Sequence, residues 1–182
     1  MNHTKTNFYV LTGGPGAGKT TLMEALRQDG FSTVPEVARE IIRKQLENGG
    51  DALPWKDTSL YTRLMLEGSV ESYLEHLENN EILFFDRGIP DTLCYSEMIG
   101  NGISEEMYLT ATAHRYNPKV FLLPPWPEIY TTDDERKQSQ EEAERTYHQM
   151  KTTYKRFHYE VIDVPKDTVA NRKKFILDIL KK

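Results

Sequence analysis

Five short apolar runs punctuate the chain, separated by longer stretches whose apolar residues recur every three or four positions. The runs are Phe8 to Thr12, Phe31 to Val34, Ile82 to Phe85, Val120 to Leu123 and Tyr159 to Val164. Runs of this length, bounded by Gly, Pro or Asp, read as strands, and Ile82 to Phe85 is apolar throughout, as a strand buried on both faces is. The stretches between them read as helices. The first turns Leu22, Met23 and Leu26 to one side and stops at Gly30. The second opens at Glu36, carries Val37, Ile41, Ile42 and Leu46, and ends at Asn48-Gly49-Gly50-Asp51. A long helix capped by Asp57 or Thr58 is predicted to reach about Asn79, with Leu60, Leu64, Met65, Tyr73, Leu74 and Leu77 as its stripe. Further helices are predicted over Asp91 to Ile99, Ser104 to Tyr116, a stretch ending near Arg156, and Thr168 to Lys181; the last turns Val169, Ile176, Ile179 and Leu180 inward.

Strands alternating with helices imply right-handed crossovers, hence a three-layer α/β/α domain with a five-stranded parallel sheet. Ligands of such sheets sit beyond the carboxyl ends of the strands, and the charged residues cluster there. After the first strand, Gly13-Gly14-Pro15-Gly16-Ala17-Gly18-Lys19-Thr20 fits G-x-x-x-x-G-K-[ST] in full, with a strand before it and a helix after it. Glycines let consecutive N–H groups turn inward around a phosphate, and the helix starting at Gly18 aims its positive end at the same anion. Gly14, Pro15, Gly16, Ala17, Gly18, Lys19, Thr20 and Thr21 are therefore the expected nucleotide contacts. Lys19 can reach the β- and γ-phosphates, and the Thr20 hydroxyl can ligate Mg²⁺.

Asp86 follows four apolar residues, which is the Walker-B position for a carboxylate holding Mg²⁺; the competing reading is a helix cap. Arg87 either binds a donor or acceptor phosphate or pairs with Glu36. Glu36 closes the second strand and is the candidate for accepting an acceptor's hydroxyl proton, against a first-turn glutamate favoured by the helix dipole. Asp86 is the other candidate base. Arg39, one turn on, could bind an anionic substrate. The charged segment from Asp133 to Lys137 reads as a mobile flap whose Arg136 neutralises charge on a transferred phosphoryl group, with Lys137 and Arg145 behind it, or as a solvated charge run. Trp55, Tyr61, Tyr95, Trp126 and Tyr130 could stack on a ring or simply pack. His114 and His148 lack ligand spacing, so neither a zinc site nor a histidine catalyst is expected.

Composition acts mainly by exclusion. With 182 residues the chain suits one domain. A net charge of −5 leaves no cationic excess for a phosphate backbone, so no nucleic-acid partner is expected. The single cysteine, Cys94, cannot form an internal disulfide, which suggests a reducing, cytoplasmic setting. No apolar run approaches a membrane span, and the amino terminus leads into the first strand without a signal-peptide core. No N-K-x-D guanine motif occurs, Asp86-Arg87-Gly88 is not a D-x-x-G switch, and Asp-Arg stands where AAA+ motors carry Asp-Glu.

Gly13 to Thr20, Pro35 to Arg39, Phe84 to Asp91, and Pro124 to Tyr130 with Asp134 to Lys137 resemble the small bacterial AAA-family predicted ATPases. These group with the kinase domain of nicotinamide riboside kinase/transcriptional regulator proteins. The resemblance covers nearly the whole chain. It implies a P-loop NTPase of nucleotide-kinase-like fold over residues 1–182, Asp-Arg near the metal, and an arginine-bearing lid at about 126–150. The resulting expectation is an Mg·ATP-dependent kinase of a small acceptor, nucleoside- or nucleotide-like, with adenine near Val164 to Asp167. The alternative is a nucleotide-binding switch acting through a protein or lipid partner.

Overall fold

The structure, a computed structural model, describes residues 3–127 and 139–181, apart from the side chain of His3. Its elements run β1 (His3–Thr4), β2 (Phe8–Gly13), α1 (Lys19–Gln28), β3 (Ser32–Val34), α2 (Val37–Asn48), α3 (Thr58–Glu75), β4 (Leu83–Asp86), α4 (Ile89–Met98), α5 (Glu105–Ala113), β5 (His114–Arg115), β6 (Lys119–Leu123), α6 (Gln140–Arg156), β7 (Glu160–Asp163) and α7 (Val169–Leu180). Strands β3-β4-β2-β6-β7 form one sheet in that order, every pair parallel. The predicted five-stranded α/β architecture is therefore the observed one.

Alternation along the strands sends side chains to two separate cores. Phe8, Val10 and Phe85 join Tyr73, Leu93 and Tyr154 on one face. Leu11, Phe84 and Phe121 join Leu22, Leu26 and Ile176 on the other. Each fully buried large apolar side chain contributes roughly 1.5–3 kcal/mol of transfer free energy. Because both faces are covered, polar chemistry is confined to the strand ends. β2 and β4 lie side by side, so the loops leaving them meet, and the carboxyl end of β3 adds Glu36 to the same spot.

Several predicted boundaries shift. The helix expected from Ser104 to Tyr116 stops at Ala113, because His114 and Arg115 pair with His3 and Thr4 in a second, two-stranded sheet. Two-residue strands are too short to show a period in the sequence. The long helix ends at Glu75 rather than near Asn79, and its buried residues include Tyr61, Met65, Leu66 and Tyr73, while Leu74 is exposed. In α2 no residue is fully buried, and Leu46 is exposed. That helix turns Val37, Ala38 and Ile42 toward a cavity instead of the core. Among the described residues no helix is long and apolar enough to cross a membrane.

Candidate active site

The loop from Gly13 to Thr20 joins β2 to α1. Gly16 and Gly18 take φ of 74° and 75°, a left-handed conformation that strains residues bearing a Cβ. Helix α1 begins directly after Gly18, so its first N–H groups have no intrahelical acceptor and open toward an anion. A cavity of about 450 Å³ lies over this loop, and every residue from Gly14 to Thr21 lines it. Its remaining wall includes Trp126 and the start of α7 at Asp167, Thr168 and Val169. Of the stretch from Val164 to Asp167 expected near adenine, Asp167 lines this cavity and Val164 is fully buried in the core.

A connected chain of charges sits at the strand ends. Lys19 Nζ donates to Asp86 Oδ1 and lies 3.8 Å from Glu36 Oε2. Glu36 is clasped on both oxygens, by Arg87 Nε at 3.0 Å on Oε1 and Arg39 Nε at 3.0 Å on Oε2. Arg87 also approaches Asp91 Oδ1 at 3.5 Å. Burial pulls the Lys19 ammonium below its ordinary pKa, and the Arg87 charge adds to that, while Asp86 and Glu36 oppose it. Burial also disfavours the Arg87 guanidinium, but Glu36, Asp91 and Asp86 outweigh it and the pKa is raised. Breaking one partner out of such a buried network is costly, of order 3–5 kcal/mol. Arg87 has φ of 71°, unusual for a residue with a Cβ, and its N–H donates to Leu11 O at 3.0 Å.

Of the two readings left open for Arg87, the pairing with Glu36 is present, and the residue also lines the loop cavity. Arg39 faces that cavity too, with half of its side chain exposed. Thr20 is exposed and shares a third cavity, about 520 Å³, with Glu36 and Asp86. Among the described residues no cluster of three His, Cys, Asp or Glu could hold a metal ion. A hydroxyl and one carboxylate instead suit a hard cation that arrives with phosphate oxygens already attached, as Mg²⁺ does.

A second cavity, about 530 Å³, opens on the other side of Arg87. Glu36, Asp86 and Asp91 stand at its charged end, and Tyr61, Tyr95 and Met65 are part of its apolar wall. Tyr61 and Tyr95 meet edge to face at 5.5 Å. Trp55 is 64% exposed and also borders this space, as does the exposed Arg145. Arg136, Lys137 and Tyr130 lie outside the described residues.

Two groups went unnoticed in the sequence. Arg172 is only 2% exposed on the inner face of α7, donates from Nη2 to Ala17 O at 2.9 Å, and lies 5.5 Å from the Trp126 ring. It falls on the stripe with Val169, Ile176 and Ile179, and an arginine on an apolar stripe was the available signal. Asp91 is the third residue of α4, which begins at Ile89 rather than at Asp91. It accepts from Gly88 N at 2.8 Å, from Tyr154 Oη at 2.6 Å and from the Thr12 hydroxyl.

Cys94, 1% exposed, also faces the second cavity. Burial, reinforced by the Asp91 charge, pushes its thiol up from 9.0 to about 12. The folded state therefore holds this proton after the unfolded chain has released it, so the stability contribution is full below pH 9 and is lost toward pH 12. Between pH 7.5 and 10.5 wild type should lose about 1–2 kcal/mol more stability than Cys94→Ala. Urea melts of both at the two pH values measure this, and equal losses would contradict it.

A family model described as AAA domain matches residues 8–172. Among solved structures, the NadR protein in complex with NR superposes with a TM-score of 0.67 at 19% identity, covering 95% of this chain and 49% of that one. The chain thus spans about half the length of NadR. Deoxyadenosine kinase from M. mycoides with bound dATP gives a TM-score of 0.63 at 16% identity, covering 96% of this chain and 100% of that one. Thymidylate kinase from Ehrlichia chaffeensis gives 0.61 at 16%, covering 97% and 99%. No curated protein sequence matches. At such identities the likeness establishes the fold, which is that of P-loop nucleoside and nucleotide kinases. With the family model spanning all five strands of the sheet and the loop from Gly13 to Thr20, the chain belongs to the AAA domain family.

Proposed function

We propose that the chain is an Mg·ATP-dependent phosphotransferase acting on a small, nucleoside- or nucleotide-like acceptor. The observation that carries this reading is the adjacency of two cavities, one over the phosphate loop and one lined by aromatic and apolar side chains, which share Pro15 and Arg87. A nucleotide-dependent switch needs only the first. Transfer needs the second to open where a γ-phosphate would end, and Glu36 and Asp86 border it there.

In this reading the amides from Gly14 to Thr21 and Lys19 hold the β- and γ-phosphates. Trp126 and the first turn of α7 flank the base. Thr20 and Asp86 would hold Mg²⁺, which supplies charge neutralisation on the phosphates. Lys19 leaves Asp86 for the phosphates as the nucleotide enters. The acceptor oxygen bonds to the γ-phosphorus and the bond from that phosphorus to the β,γ-bridging oxygen breaks. ADP leaves with that electron pair, and the hydroxyl proton passes to Glu36. Arg87 keeps Glu36 in position, and Arg39 steadies the same carboxylate from its solvent side. Arg136, with Lys137 and Arg145 as further cations, closes over the transferring group.

The test is ADP release from Mg·ATP in the presence of nucleosides, nucleotides and sugars. Acceptor-dependent release of at least tenfold over background is expected. Slow hydrolysis indifferent to every acceptor would replace this reading with a nucleotide-binding ATPase or GTPase switch working through a protein or lipid.

A further inference from the structure

We propose that Arg172 is a positioning residue of the donor site: its guanidinium presets the peptide joining Ala17 to Gly18, so that the loop is shaped for a triphosphate before one arrives. The inference rests on the donor half of the phosphotransfer reading and is independent of the acceptor. Arg172 has no part in the transfer step, yet it lines the loop cavity and is 2% exposed.

The loop is weakest where Arg172 meets it. Ala17 stands between Gly16 and Gly18, both at left-handed φ, and glycine loses more conformational freedom on ordering than any other residue. A peptide flanked in this way resists rotation poorly by itself. The Ala17 carbonyl accepts from Arg172 Nη2 at 2.9 Å, across 155 positions of sequence. A peptide unit is planar and trans, so a carbonyl held toward α7 turns the Gly18 N–H away from α7. Helix α1 starts directly after Gly18, and Gly18 lines the same cavity. A charged donor on the carbonyl also polarises the peptide and makes its N–H a stronger donor to an anion.

Arg172 is itself well placed for this. Ile176, one turn on, shares a core with Leu22, Leu26 and Ala17 where α7 packs on α1, so the guanidinium projects from a fixed helix. The Trp126 ring lies 5.5 Å from it. An arginine that serves only the fold spreads its donors over several acceptors. Here the hydrogen bond goes to the loop, and Nε has no partner among the described residues. Burial pushes the pKa of Arg172 below its ordinary value. A charge so poorly solvated polarises its acceptor more than it would in water.

The experiment compares wild type, Arg172→Met and Arg172→Lys by titration calorimetry with Mg·AMP-PNP and with Mg·tripolyphosphate, which carries phosphates and no base. Methionine keeps an apolar stem and removes the donors, whereas lysine keeps a charged donor. Arg172→Met should weaken both ligands about tenfold or more, by factors that agree within about threefold, and Arg172→Lys should bind both at least about threefold more tightly than Arg172→Met. A loss confined to AMP-PNP, or wild type that binds AMP-PNP but no tripolyphosphate, overturns the proposal, because the effect would then lie at the base and Trp126. Methionine that binds as tightly as lysine overturns it too, since packing would then suffice. Backbone ¹⁵N relaxation of the unliganded wild type needs no variant. Gly18 should show an order parameter near the rigid value of about 0.85, and one below about 0.6 overturns the proposal. Wild type that binds neither ligand removes the donor site and this inference with it. Wild type that binds both, with Arg172→Met unchanged, leaves the donor reading standing and overturns this inference alone.

Discussion

Lys19→Ala abolishes most of the thermal stabilisation that Mg·ATP confers on the wild-type chain. A ligand that binds only the folded state adds stability by mass action, about 2.7 kcal/mol at one hundred times its dissociation constant. In a domain of this size that corresponds to roughly 5–10 °C. Among the described residues Lys19 is the one ammonium that lines the loop cavity, and burial already presses its pKa downward while Asp86 and Glu36 restrain it. Incoming phosphates supply the counter-charge that burial demands, so a large part of the binding energy passes through this residue. The variant's shift should fall below about 2 °C. The quantity to compare is the shift, since replacing Lys19 also removes its contact with Asp86 and can move the unliganded midpoint either way. A shift equal to that of wild type would remove the phosphate site from this loop.

Glu36→Gln lowers acceptor-dependent turnover by about 10²–10⁴ while the KM for ATP stays within about threefold. Glutamine keeps the shape of the side chain and one acceptor oxygen, but it cannot take a proton. Glu36 is 6% exposed and its carboxylate is held by Arg87 and Arg39, so the neutral amide loses the base together with the charge on which those two ion pairs depend. Asp86 is the competing base, although Lys19 and the proposed metal both claim its carboxylate. Steady-state rates of wild type, Glu36→Gln and Asp86→Asn separate the two. Near-normal turnover in Glu36→Gln would clear it of the proton-accepting role, and a rise in the KM for ATP confined to Asp86→Asn would fit a metal ligand.

Much of this site was legible because its parts are contiguous. Gly13 to Thr20 carries its context with it, a strand on one side and a helix on the other. Asp86 and Glu36 could be found because each stands at the end of an apolar run, where a parallel sheet exposes its chemistry. Arg172 was not found in this way. Its partner, the Ala17 carbonyl, lies 155 positions earlier, and nothing within α7 hints at it except a charge on an apolar stripe. The Asp91 network behaves likewise, joining residues 79 and 63 positions distant through Thr12 and Tyr154. For α2, periodicity marked a helix but left open what its apolar side faces, because a stripe bordering a cavity and a stripe bordering a core look alike in one dimension.

From the amino-acid order alone came the types of the longer elements, the parallel three-layer plan and the phosphate loop, because backbone propensity, side-chain period and glycine placement are local properties. Tertiary structure decided which charges neutralise one another, where the second cavity opens and which side chains wall it. Those depend on strand order, and the pairing β3-β4-β2-β6-β7 is what brings Glu36, Asp86 and Lys19 within reach of one another.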